Sequence, residues 1–221
     1  MGKKNLKNRQ KKNLNRKNQP RKPSKGQGNT KADSPEWDAY FKEYQEILNK
    51  KGVYMRDVQG DGNCLYRVVA DQIEGSEKDH KKYRENVVSY LTEHKDYFQV
   101  FLLDTEDIDS YIRHQSKDGS WGGHFELVAL SALLNVKFCV HTKDQDPVLV
   151  QSDENAQGDK RVLHIAYHVG EHYSSIRKIG DVGETPAEEI PGLGEPTGES
   201  KSVSAVEESE QEEEEVKEVE K

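Results

Sequence analysis

Cysteine is scarce: the chain of 221 residues holds two, Cys64 and Cys139. That count excludes a disulfide scaffold and any four-cysteine zinc module, and it suits a reducing compartment. Long apolar runs are also missing, with nothing near the roughly 18 consecutive residues that a membrane span requires. The N-terminus has lysine and asparagine where a secretory signal needs an apolar stretch. Met1-Gly2 suggests a myristoylation start, but Leu6 stands where that pattern needs Ser or Thr. The expectation is a soluble, monomeric protein of the cytoplasm, the nucleus or both, without membrane contact.

Apolar residues are few as well: 32% are hydrophobic against 33% charged, where a globular domain runs nearer about 45–50% and about 25%. Roughly 150 residues can then form a core, which leaves polar tails. The charge pattern shows where they lie. Residues 1–32 carry twelve Lys and Arg and no acid, whereas 181–221 carry fifteen acids against three lysines. The expected division is a basic disordered tail over 1–33, one folded domain over 34–180 and an acidic disordered tail over 181–221. Such a basic segment favours polyanions through counterion release, so RNA or ribosome contact through residues 1–32 is one candidate role. No aromatic residue is interleaved among its charges, which speaks against base stacking.

Within the folded part, Ser34-Pro35-Glu36 reads as a helix start. Trp37, Tyr40, Phe41, Tyr44, Ile47 and Leu48 then recur at three-and-four spacing as one apolar stripe that Gly52 ends. A periodic face of this kind is core packing before it is a ligand box. An extended piece over 53–58 leads into the polar loop Gln59-Gly60-Asp61-Gly62-Asn63, and Cys64 opens a helix that Gly75 stops. Further helices are predicted over 79–98 and 105–115 and from Phe125 to Leu134, with strands over 136–141, 148–151, 162–168 and 173–178. Helices come first and strands last, an α/β chain of the α+β kind.

The two thiols differ in their neighbours. Cys139 sits in the apolar run Val136-Lys137-Phe138-Cys139-Val140 and reads as a small buried side chain. Cys64 follows a glycine loop and begins a helix, where partial positive charge from free amides favours a thiolate. It is the nucleophile candidate. The same loop can offer backbone amides as an oxyanion hole around Gly62 and Asn63, although a Gly-Asp-Gly-Asn turn is also a common inert bend. A thiol hydrolase needs a base, and His172 stands where a loop meets the last predicted strand. His164, His168 and His172 recur every fourth residue, but along an extended strand that spacing sets the rings about 13 Å apart, too far for one ion. No metal is expected there.

Three segments carry a resemblance. Gly60-Asp61-Gly62-Asn63-Cys64-Leu65-Tyr66-Arg67 resembles the nucleophile segment of the ovarian-tumour (OTU) cysteine peptidases. Trp121-Gly122-Gly123-His124-Phe125-Glu126-Leu127 is similar to the family's middle motif, and Ile165-Ala166-Tyr167 through Gly170-Glu171-His172-Tyr173 to its histidine segment. The resemblance covers roughly residues 37 to 180. It implies a papain-like fold with helices around a small, mostly antiparallel sheet. It further implies a deubiquitinase that needs no metal or cofactor and cuts the isopeptide or peptide bond after the C-terminal glycine of ubiquitin. Cys64 would be nucleophile, His172 general base and acid, Asp61 the acidic residue beside the oxyanion loop, and Trp121 part of the substrate groove. Ubiquitin, polyubiquitin and ubiquitinated proteins would be the partners. Where many relatives place Asn or Asp two residues after the histidine, this chain has Ser174. Its hydroxyl can accept the imidazole N–H, with Asp61, a water or a backbone carbonyl as the alternatives. The competing class is an RNA- or ribosome-associated adaptor that works through residues 1–32 and carries a weak or inactive domain of this type.

Overall fold

The apolar stripe after Pro35 folds as predicted in the computed structural model of the chain, which describes residues 35–103, 106–152, 160–168 and 172–194. Helix α1 (Pro35–Lys50) turns Tyr44 and Leu48 inward, and Gly52, at φ +78°, reverses the chain into β1 (Val53–Arg56). The loop over 57–63 follows, then α2 (Cys64–Glu74), a 3-10 turn (Glu77–Asp79), α3 (His80–Glu93), α4 (Lys95–Gln99), α5 (Ile108–Gln115) and α6 (His124–Leu134). Strands β2 (Lys137–His141), β3 (Val148–Val150), β4 (Val162–His168) and β5 (His172–Lys178) complete the described elements. Among the described residues no helix is long and apolar enough to cross a membrane.

The sheet runs β1-β5-β4-β2-β3 and is mixed: β2 and β4 are parallel and every other pair is antiparallel. Strand alternation divides its side chains into two layers. One face carries Phe138, Leu163, Ile165 and Tyr173 against the buried sides of α2, α3 and α6, the larger core. The other carries Val53, Met55, Ala166 and Ile176 against Tyr44 and Leu48 of α1 and against Leu193. Helix α2 is buried from Cys64 through Gln72, which places the predicted nucleophile on the most enclosed helix of the domain. Gln72 fastens it to the sheet by donating from Nε2 to Ser175 Oγ and to the Ile176 carbonyl, both at 2.7 Å.

Three expectations change. The helix predicted over 79–98 breaks at His94, whose Nδ1 lies 2.8 Å from the Tyr90 carbonyl while its ring stacks on Tyr90. The change of direction lets Phe98 of α4 reach the core. The helix predicted from Thr105 begins at Ile108, where the Asp107 carboxylate accepts from Ser110 N at 3.0 Å as its cap; Thr105 itself lies outside the described residues. The third concerns the domain end. The chain stays packed beyond residue 180, because Arg177 is fully buried and draws the following segment back: its guanidinium binds Asp71 and Asp181, each at 2.8 Å, and the Thr185 carbonyl at 3.3 Å. Ala187 N then donates to the Gln72 carbonyl at 2.8 Å, and Leu193 buries on the α1 face. Residues 181–194 therefore form a strap on the domain, whereas 1–34 and 195–221, the rest of the expected tails, lie outside the described residues.

Removing one member of a buried ion cluster leaves the others uncompensated, at a cost of about 3–5 kcal/mol. Arg177→Met is accordingly expected to lower the unfolding free energy in urea by about that amount. A loss under about 1 kcal/mol, the scale of a surface pair, would show that the strap is not held this way.

Candidate active site

The loop over 57–63 is shaped from both sides. Gly62 has φ +80°, and a Cβ placed on it would fall 1.9 Å from the Gly119 carbonyl oxygen, so this loop and the 116–123 loop meet backbone to backbone. Asp61 folds onto its own turn, accepting from Asn63 N at 3.0 Å and from Arg67 Nε and Nη2 at 3.1 and 2.6 Å. Burial works against its charge, but the Arg67 and Asn63 bonds outweigh it and hold the carboxyl down at about 2. Asn63 Oδ1 accepts from Arg84 Nη2 at 2.6 Å and from Gly119 N at 3.2 Å. Arg84, buried on α3 over the Tyr66 ring, also donates to the carbonyls of Ser120, Gln115 and Gly62 at 2.6, 2.9 and 3.2 Å. One guanidinium thus holds both loops and the residue before the thiol. The first-turn amides of α2, which have no intrahelical acceptor, stand at Cys64.

His172 arrives at the start of β5. Its Nε2 lies 2.8 Å from Asp57 Oδ1, with the two side chains 14% and 7% exposed. Asp57 follows β1, and the antiparallel β1–β5 pairing, Arg56 opposite Ser175, brings it there. The carboxylate also accepts from Val58 N at 3.0 Å and from Ser174 Oγ at 3.2 Å. With Nε2 committed, the Nδ1 edge faces the nucleophile loop: a Cβ on Gly60 would sit 3.8 Å from both Nδ1 and Cε1. The Cys64 sulfur lies near enough to act on the ring. Burial disfavours the imidazolium, yet the bond to Asp57 and then the influence of Cys64 more than offset it and carry the ring up to about 10. At neutral pH the ring is therefore an imidazolium, set between the Asp57 side chain and the Cys64 sulfur.

Behind this line sits His168, buried among Trp37, Tyr40, Phe41 and Tyr44 of α1, with Nε2 3.0 Å from Ser174 Oγ. Burial first, and then the charge of His172, hold it down at about 3, so it stays neutral. The aromatic stripe of α1 is core, as its spacing indicates, and what it packs around is a pair of histidines.

The structure brings Cys64 and His172 together and leaves the other predicted residues in different places. Asp61 engages Arg67 rather than the imidazole, so it shapes the loop. Ser174 does not touch His172; it donates to Asp57, and the carboxylate takes the orienting place expected of the serine. Trp121 is half exposed, on a loop so close to α2 that a Cβ on Gly122 would lie 2.7 Å from Leu65. The reading of the three repeating histidines along one strand fails for two of them. His168 and His172 face each other across the β4–β5 pairing with ring centroids 6.0 Å apart, and residues 169–171 between them lie outside the described residues. Asp57 was missed. Its one signal is an acid near the end of the extended piece Val53-Tyr54-Met55-Arg56-Asp57-Val58, just before the glycine loop, and only the strand pairing gives that position a meaning.

The sequence profile described as "OTU-like cysteine protease" matches residues 59–173. The chain is 32% identical over 153 residues to "OVARIAN TUMOR DOMAIN-containing deubiquitinating enzyme 7" of Arabidopsis thaliana, covering 69% of this chain and 40% of that protein. It is 35% identical over 147 residues to "OTU domain-containing protein 3" of Mus musculus, covering 66% of this chain and 37% of that protein. It thus spans about 40% or less of the length of these relatives. Among solved structures, the OTUD1 OTU domain superposes with a TM-score of 0.55 at 24% identity, over 62% of this chain and 95% of that one, a likeness of fold.

A hydrogen bond to a charged partner contributes about 1.5–3 kcal/mol, and about 1.4 kcal/mol is a factor of ten in rate. Iodoacetamide at pH 6 is expected to alkylate Cys64 and leave Cys139 intact, since burial pushes the Cys139 thiol up to about 12. Asp57→Asn should slow that alkylation by about tenfold or more by weakening the imidazolium that holds the thiolate. Equal rates in wild type and variant would remove Asp57 from the site.

Proposed function

We propose that this chain, which belongs to the OTU-like cysteine protease family, is a deubiquitinase that hydrolyses the isopeptide or peptide bond after the C-terminal glycine of ubiquitin. The observation that carries this reading is the thiol at the N-terminus of α2 facing an imidazole whose far nitrogen is fixed by Asp57 at 2.8 Å. The choice of ubiquitin is supported by a matched relative named as a deubiquitinating enzyme.

In this mechanism the Cys64 thiolate adds to the carbonyl carbon of the terminal glycine. The negative oxygen of the tetrahedral intermediate is met by backbone amides at Gly62 and Cys64, held in advance by the Arg84 and Asp61 contacts, while the Asn63 amide, expected to join them, is spent on the Asp61 carboxylate. His172 gives its Nδ1 proton to the departing amine, the carbon–nitrogen bond breaks, and a thioester remains on Cys64. Water then adds, His172 takes its proton, and the carbon–sulfur bond breaks to release the ubiquitin carboxylate and restore the thiolate–imidazolium pair. Asp57 keeps the ring in the plane both steps require, while Ser174 acts through Asp57. Trp121 lines the approach, where a terminal Gly-Gly fits a slit too narrow for side chains. Residues 1–32 enter no step; their charge suits an address on RNA or ribosomes in the cytoplasm or nucleus.

A ubiquitin probe ending in a C-terminal electrophile is expected to form one covalent adduct with the wild-type chain and with Cys139→Ser, and none with Cys64→Ala. An adduct that survives Cys64→Ala would refute the nucleophile. A wild type that ignores the ubiquitin probe but reacts with that of a ubiquitin-like modifier would refute the substrate.

A further inference from the structure

Three side chains outside the catalytic line converge on the α1 face of the sheet. Cys139 and His141 lie two residues apart on β2 and so share a face, and His164 stands directly opposite Cys139 on parallel β4. All three are buried, and their donor atoms lie within 4.8 Å of one another. The two imidazoles are closer still, His141 Nε2 to His164 Nδ1 at 3.0 Å. Neither ring has a part in the chemistry at Cys64, and the thiol has no close partner, only the carbonyls of Leu193 and Gly194 at 3.9 and 3.8 Å.

We propose that Cys139, His141 and His164 form a binding site for a zinc-class divalent cation, separate from the catalytic thiol, which joins β2 to β4 beneath the strap over 190–194. A thiolate with two imidazoles is a borderline-soft set that suits such an ion. A tetrahedral centre with metal–nitrogen bonds of about 2.0–2.1 Å sets its two nitrogens roughly 3.3 Å apart. The observed 3.0 Å needs only a small opening. His164 also lies against the backbone of Ile190 in the strap, and its Nδ1 faces His141 and so the cluster. On binding, Cys139 loses its proton to solvent and His141 carries its N–H on Nδ1. The fourth position opens on a cavity of about 500 Å³ that Cys139 and His164 line together with Arg161, Glu189 and Leu193, where a water can complete the coordination. The strap closes tightly over the cluster, since a Cβ on Gly194 would lie 2.8 Å from the Cys139 sulfur and 2.9 Å from His141 Cε1. An ion there would join β2 and β4 at one point directly beneath the strap.

The experiment uses the full chain, stripped with a chelator and titrated with Zn²⁺, and with Co²⁺ as a spectroscopic probe. One equivalent is expected to bind, with the near-ultraviolet thiolate-to-cobalt charge-transfer band, and saturating Zn²⁺ should raise the melting temperature. Cys139→Ser should abolish the band, and His164→Gln should weaken binding by about 100-fold or more. Cys64→Ala should leave band and stoichiometry unchanged, so the outcome is independent of the reading of the catalytic thiol. A wild-type chain that shows no charge-transfer band, or a band lost in Cys64→Ala and kept in Cys139→Ser, would overturn the proposal without any variant having to fold perfectly.

Discussion

The contact between Asp57 and His172 is the interaction on which the site depends. An imidazole buried under Trp37 loses solvation whenever it is charged, so a lone histidine there would be neutral and of no use in holding a thiolate. A carboxylate at 2.8 Å reverses that balance. The carboxylate in turn is held by a backbone amide and a serine hydroxyl, and the serine by a neutral histidine in an aromatic cage. The relay thus runs from ring to carboxylate to hydroxyl to a second ring, whose Nδ1 has no hydrogen-bond partner among the described residues. What fixes the chain of contacts is not local sequence but the pairing of the first strand with the last.

The thiol side is built on a different principle. Gly62, Asn63 and Gly119 bring two loops into backbone contact, and a single buried cation, Arg84, replaces water for the carbonyls that this approach strips. A guanidinium suits the task because its planar fork serves several acceptors at once. Amides aimed at a developing oxyanion are effective only if they do not relax during reaction, and here the loop cannot relax without breaking the Arg84 contacts. The cost is a charge buried among neutral acceptors, offset by their number and by the Tyr66 ring beneath it.

Periodicity and capping made most of the elements legible. The α1 stripe, the helix opening at Cys64, the near-uniform apolar helix before β2 and the late strands all follow from spacing that local physics can read. The places of Cys64 and His172 are legible for the same reason: one sits where a glycine loop meets a helix, the other where a loop meets a strand. Everything set by distant pairing is not. Asp57 acquires its place only from β1 lying beside β5, His168 meets His172 only through the antiparallel β4–β5 pairing, and the break at His94 repays itself through Phe98 in the core. The strap over 181–194 was read as solvated because its composition is acidic and rich in glycine and proline; Arg177, which anchors it, looks like any charged strand residue until its burial is known.

The state of one ring tests this account most directly. Nitrogen NMR of the His172 imidazole across a pH titration of the wild-type chain should find it an imidazolium through neutral pH, giving up its proton only as the pH approaches about 10, with Nε2–H on Asp57 throughout. Blocking Cys64 as a methyl disulfide should bring the transition down, since the Cys64 sulfur is one of the two partners that hold the charge. A ring that loses its proton near the ordinary histidine value of about 6.5, and does not respond to the state of Cys64, would contradict the ion pair and the mechanism built on it.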